Sequence, residues 1–208
     1  AVWANQTEIA RFLVEQGADV TASRGLAAYR RHGESFCAAT PLHYAVANGN
    51  LELVQFLTAR GAPVNPQWER PSNENDGRRF VPFCVYASPL HLAAYFQRNT
   101  EVVDALIALG ADARAKVYYD DAYDPDWGYR GSRRYYDVLP LDIAASKDSV
   151  DSTRSSTVRS LIAAGSLPTP GKALQGAALV GDLDVVRLLL AAAPGVINSV
   201  SENGYTAL

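Results

Sequence analysis

Apolar residues in this 208-residue chain recur at helical spacing in short paired blocks, with stretches rich in Gly, Pro, Asp and Asn between them. Four blocks align: TPLHYAVANGNLELVQFLTARGAPV from Thr40, SPLHLAAYFQRNTEVVDALIALGADA from Ser88, LPLDIAASKDSVDSTRSSTVRSLIAAGS from Leu139 and KALQGAALVGDLDVVRLLLAAAPGV from Lys172. A partial copy, AVWANQTEIARFLVEQGADV, opens the chain, and GYTAL closes it where a further copy would begin. In the second half of the blocks, Leu53, Val54, Phe56 and Leu57, and then Val102, Val103, Leu106 and Ile107, form the stripe of a one-sided helix. Thr40 and Ser88 suit helix N-caps. Pro41, Pro89 and Pro140 suit the first helical position, where a missing N–H costs nothing. Gly61, Gly110 and Gly165 follow helix ends, where a left-handed residue is easiest for glycine. Each block therefore reads as a helix pair that cannot bury its apolar face alone, so stacked neighbours must supply the core.

The recurrence in register of TPLH and SPLH, then A-V or A-A, then a helix ending in GA, resembles the ankyrin repeat family. The resemblance covers most of the chain outside three insertions. It implies an all-α repeat solenoid, with two antiparallel helices per repeat and a projecting β-hairpin "finger" between repeats. On that reading residues 1–208 form one domain: a partial repeat at 1–21, repeats at 40–65, 88–114, 139–167 and 172–198, and the start of another at 204–208. The resemblance also makes His43 and His91 structural, bonding backbone between repeats. Two repeats depart from the pattern. The block from Leu139 has Asp142 for the histidine, and SKDSVDSTRSST reads as a lengthened mobile turn between its helices. The block from Lys172 has Ala173 for proline and Gln175 for histidine.

Three consecutive junctions are enlarged, at 22–39, 66–87 and 115–137. The first two share a pattern: Arg30-Arg31 and Arg78-Arg79 each precede a Phe-Cys pair, and eight residues separate each doublet from Thr40 or Ser88. The third contains YYDDAYDPDWGYRGSRRYYD, which packs six tyrosines, a tryptophan, three arginines and five aspartates into twenty residues. Aromatics and arginines suit a half-exposed pleated surface, and NENDG and DPDWG supply turn chemistry at the tips. These stretches are read as extended hairpins whose rings and guanidinium groups stack in a cation–π layer. Insertions in repeat arrays map to one face, often the binding face. Packing of the long fingers is the plainer account of the rings, and it is compatible with a preorganised interface.

Composition narrows the chemistry. Formal net charge is −3, so no global footprint for nucleic acid is present. No apolar run approaches the roughly 18 residues of a membrane span. His32 and Cys37 lack the oriented base and oxyanion site that a nucleophile needs. Cys37 and Cys84 occupy near-equivalent places in neighbouring fingers and are read as free thiols. The run Asp120, Asp121, Asp124 and Asp126 lacks the glycine and terminal glutamate of a calcium loop. GSLPTPGKA, from Gly165, has the wrong spacing for a phosphate loop, and its two prolines delete cradle amides. The Asn5-Gln6-Thr7 sequon falls at a helix–helix turn.

The expectation is a non-enzymatic, cytoplasmic protein-recognition module, monomeric rather than an obligate oligomer, with a protein partner and no cofactor, metal, membrane or nucleic acid. The candidate contacts are Trp68, Arg78, Arg79, Tyr95, Phe96, Tyr119, Tyr123, Trp127, Tyr129, Arg133 and Arg134, because Tyr, Trp and Arg are enriched at interface hot spots. Tyr95 and Phe96 are expected to be exposed, beside variable positions at Ala47, Asn48, Ser146 and Lys147. The competing expectation is an inhibitor or anion-binding domain that uses the Arg doublets.

Overall fold

A computed structural model describes residues 1–22, 39–66, 87–96, 99–120, 123–124, 128–129, 135–146, 153–201 and 204–208, with only the backbone for the strands through residue 137. Among these residues the helices are α1 (Thr7–Glu15), α2 (Pro41–Ala47), α3 (Leu51–Ala59), α4 (Pro89–Phe96), α5 (Thr100–Ala108), α6 (Pro140–Ser146), α7 (Thr153–Ala163), α8 (Ala173–Val180) and α9 (Leu183–Ala192). Strands β1 (Val117–Asp120), β2 (Tyr123–Asp124), β3 (Gly128–Tyr129) and β4 (Tyr135–Val138) lie between α5 and α6. A short 3₁₀ turn, Pro194–Val196, follows α9.

The helices form two layers. Helices α2, α4, α6 and α8 pack side by side in one, α1, α3, α5, α7 and α9 in the other, and each first helix packs on its own second helix. The sequence explains why the layers close. Leu42, Leu90, Leu141 and Leu174, one residue past the motif's second position in each repeat, are all buried. Ala45, Ala93, Ala144 and Ala177, three residues further on, are buried as well, and their small side chains let the layers approach. From the second layer Leu57, Leu106, Leu161 and Leu189 complete the same core. Gly61, Gly110 and Gly165 take φ of 90°, 85° and 85°, the left-handed geometry that ends α3, α5 and α7.

Helix α7 corrects the expected mobile turn. Thr153 to Thr157 belong to the helix, which leaves only 147–152 of that stretch between the helices, outside the described residues. Arg154 and Thr157 are buried, and Arg154 Nη1 pairs with Asp182 Oδ2 at 3.3 Å. Counting back from the terminal glycine, Thr157 fills the place that Leu53 and Val102 fill in α3 and α5. Tertiary packing thus overrides a weak helix-forming composition. Phe56, expected in the core stripe, is only partly buried; the guanidinium groups of Arg11 and Arg60 lie 5.0 and 4.9 Å from its ring centroid. Those arginines also meet Glu52 at 2.7 Å and Glu15 at 4.0 Å, across the α1–α3 contact.

Close approach decides Gly176. A Cβ there would lie 2.5 Å from Ser146 Cβ and 2.8 Å from Ser146 Cα, because α8 is seated directly against α6. Gly176→Ala is therefore expected to destabilise the fold by roughly 1–3 kcal/mol, against the ~1 kcal/mol that alanine would gain in an open helix; chemical denaturation checks the sign. Thr157 gives the opposite prediction. Its buried hydroxyl has no hydrogen-bond partner among the described residues, so the isosteric Thr157→Val is expected to stabilise by about 1 kcal/mol. A lower melting temperature for that variant would contradict the assignment.

Candidate partner-recognition surface

The second and third junctions are held at their roots by side chains of the preceding repeat. In α2, His43 closes a capping box on Thr40: the Thr40 N–H donates to His43 Nδ1 at 3.1 Å, and Thr40 Oγ1 lies 2.8 Å from the same nitrogen. On its other side His43 Nε2 lies 2.9 Å from the Ala87 carbonyl, at the end of the second junction. A carbonyl can only accept, so Nε2 carries the proton and Nδ1 is the acceptor. His91 repeats the arrangement, with Ser88 Oγ at 2.7 Å from Nδ1 and the Val138 carbonyl at 3.2 Å from Nε2. Val138 ends β4, so this imidazole grips the foot of the third junction.

The two divergent repeats keep the tie with different chemistry. Asp142 accepts from the Leu139 N–H at 3.1 Å, and reaches forward to accept from the Thr169 N–H at 3.1 Å and the Thr169 hydroxyl at 2.6 Å. Gln175 Nε2 donates to the Tyr205 carbonyl. The opposite legs are also fixed. Asn65 Nδ2 donates to the Gly110 carbonyl at 2.7 Å while its Oδ1 accepts from the Asp112 N–H at 2.9 Å. Arg114 Nε donates to the Gly165 carbonyl at 2.8 Å. The sequon at Asn5 is likewise occupied: Asn50 Nδ2 donates to Asn5 Oδ1 and to Thr7 Oγ1, each at 2.8 Å.

Between its fixed legs the third junction is an antiparallel ladder. Strands β1 and β4 pair Val117 with Val138, Tyr118 with Asp137, Tyr119 with Tyr136 and Asp120 with Tyr135. Further out, β2 and β3 pair Tyr123 with Tyr129 and Asp124 with Gly128. The candidate Tyr119 thus lies in the β1–β4 pair, and Tyr123 and Tyr129 face each other in the β2–β3 pair. Trp68, Arg78, Arg79, Trp127, Arg133 and Arg134 lie outside the described residues, as do His32, Cys37 and Cys84.

The helical part of the expected surface needs correction. Tyr95 and Phe96 are half-buried rather than exposed, their rings meet edge to face at 5.1 Å between centroids, and Phe96 packs against the core. Ala47 is buried, and Asn48 is only partly exposed, with its Nδ2 donating to the Val2 carbonyl at 3.1 Å. Ser146 is exposed, and Lys147 lies outside the described residues. The reason is the stack itself: at the end of α2 Asn48 is held by the turn at Val2, and at the end of α4 Phe96 is drawn against the core.

Among the described residues no cluster of three or more His, Cys, Asp or Glu side chains could hold a metal ion, and no helix is long and apolar enough to cross a membrane. Burial holds His43 and His91 down to about 4, against weaker support for the charged form from the carbonyls they face. Burial also pushes the Asp142 carboxyl up, opposed by the bonds from Thr169 and Leu139 and by the charge of Lys172.

Residues 39–68 and 86–117 match the family model for the ankyrin repeat. These two segments are similar to ankyrin repeats, which generally serve as protein–protein interaction modules. No curated protein matches the chain.

The inter-repeat histidines make stability depend on pH. Because their folded pKa values of about 4 lie below the unfolded value of 6.5, the unfolded chain binds more protons in that window. Their contribution is complete above the unfolded value and is lost as pH falls towards the folded one. Between pH 7 and pH 5 each is expected to withdraw about 2 kcal/mol. The raised Asp142 acts in the other direction: its contribution is greatest below the ordinary carboxylate value and declines as pH rises through the folded value. Urea unfolding at the two pH values checks the histidine effect, and equal midpoints would show that the imidazoles are solvated.

Proposed function

We propose that this ankyrin array is a protein-recognition module whose partner is contacted through the three enlarged junctions, with the third as the principal finger. The observation that carries the reading is the paired ladder at 117–138, which sets four tyrosines opposite one another or opposite an aspartate, on legs tied to the stack by His91 and Arg114. A finger held at both feet loses little conformational freedom on binding, so more of its contact energy appears as affinity. Tyrosine and tryptophan add large contact area with few rotatable bonds. In this reading Tyr119, Tyr123, Trp127, Tyr129, Arg133 and Arg134 are the contacts of the third finger, and Trp68, Arg78 and Arg79 those of the second. Half-buried Tyr95 and Phe96 give the recognition face a firm base rather than a free aromatic patch.

The double variant Tyr123→Ala/Trp127→Ala separates recognition from packing. Capture of the partner is expected to fall at least tenfold, with a melting temperature within about 2 °C of the parent. A fall of many degrees would instead make the rings packing elements of the fold.

A further inference from the structure

Residues Ala1 to Gln6 have the backbone of the turn that joins a first helix to a second. The Asn5 N–H donates to the Val2 carbonyl at 3.0 Å and the Gln6 N–H to the Ala1 carbonyl at 3.1 Å. In the next repeat the Gly49 N–H donates to the Val46 carbonyl at 2.9 Å and the Asn50 N–H to the Ala45 carbonyl at 3.0 Å. Asn5 takes φ of 55° where Gly49 takes 69°. Helix α1 therefore stands in the stack as a second helix, in the layer of α3, α5 and α9. It is also firmly seated. Asn50 donates to Asn5 and Thr7, Asn48 donates to the Val2 carbonyl, and Arg11 meets Glu52.

What sets α1 apart is its exposed face. Counting from the N-cap residues Gln6, Asn50, Asn99 and Asp182, the third and seventh residues are Ile9 and Leu13 in α1, Leu53 and Leu57 in α3, Val102 and Leu106 in α5, and Val185 and Leu189 in α9. In α3, α5 and α9 these side chains are at most 2% exposed, whereas Ile9 is 53% and Leu13 46% exposed. Phe12 is exposed too and completes a stripe at i, i+3 and i+4, with exposed Trp3 in the turn before the helix. The other side of α1 belongs to the fold, with Ala10 buried and Val14 packed against the core.

The chain itself shows what chemistry covers these positions. Helices α3, α5 and α9 pack on the first helices α2, α4 and α8. Each first helix buries a leucine and, three residues on, an alanine: Leu42 and Ala45, Leu90 and Ala93, Leu174 and Ala177. An apolar stripe at this spacing is the footprint of one helix rather than of a globular face. Covering it removes apolar area from water, and a helix already held by Asn48, Asn50 and Glu52 loses little freedom on docking.

We propose that the stripe Ile9, Phe12 and Leu13, with Trp3 beside it, is a second interaction surface, and that its occupant is an amphipathic helix of a partner protein bearing leucine and alanine at the spacing of the first helices. None of these residues belongs to an enlarged junction, so this surface is tested separately from the fingers.

Methyl ¹³C labelling of isoleucine gives the intact chain five signals, Ile9, Ile107, Ile143, Ile162 and Ile197, which single Ile→Val variants assign. The probe is a blocked peptide with the sequence of Ser88–Phe96, SPLHLAAYF, carrying an EAAAK tail that favours helix. It is expected to move the Ile9 signal saturably and to leave Ile197, which is also exposed, unchanged. The same peptide with Leu90→Lys and Ala93→Lys is expected to act at least tenfold more weakly. Leu13→Lys in the protein is expected to abolish the response, with a melting temperature within about 2 °C of the parent, as befits an exposed position. A still Ile9 signal, equal movement of Ile197, or a lysine-bearing peptide as effective as its parent would overturn the site. A fall of many degrees in Leu13→Lys would make the stripe part of the fold instead. An Ile9 signal that depends on protein concentration, with a dimer in sedimentation, would give the face to a second copy and overturn the proposal as well.

Discussion

A single polar side chain, fourth in each first-helix motif, reaches across to the main chain entering the next repeat, and the stack depends on it. His43, His91, Asp142 and Gln175 all do this, meeting Ala87, Val138, Thr169 and Tyr205. Leucine and alanine contacts between the layers supply most of the burial, but such contacts slide. The polar ties fix register, because a buried donor or acceptor left without its partner costs about 1–3 kcal/mol. They also decide where the chain leaves and re-enters the helical layers, so the positions of the enlarged junctions follow from them.

Length is what those junctions can then add freely. Closing a flexible loop grows more costly only slowly with size, by about 0.6 kcal/mol per doubling, once its ends are held. The third junction has its ends held by Arg114 on one side and His91 on the other, and its legs pair from Val117–Val138 outward. The core determines where the ladder stands. That anchoring explains how an ordinary helical stack carries so aromatic a connection.

Much of this was legible in the residues. Proline after Thr40, Ser88 and Leu139 marked the helix starts, and glycine at 61, 110 and 165 marked the ends, because both act through local backbone geometry. Helix α7 was misread because serine and threonine are poor helix formers, and the deciding interaction, Arg154 with Asp182, joins residues 28 apart. Counting back from Gly165 would have placed Thr157 and Leu161 at the stacking positions. Tyr95 and Phe96 looked exposed because their place in the motif tolerates many residues; only the packed turns show that Phe96 is drawn against the core. Asp142 and Gln175 read as decay of the motif, although each retains the role with another functional group.

The exchange of histidine for aspartate at position 142 has a consequence for how the array could be rebuilt. Histidine offers a proton to the incoming chain and needs a carbonyl there; aspartate offers lone pairs and needs an N–H and a hydroxyl. Transplanting the unit from Leu139 to stand before a neighbour that presents a carbonyl would set oxygen against oxygen in a buried seam. The copies look alike but are keyed: hydrogen-bond polarity, rather than shape, dictates their order along the chain.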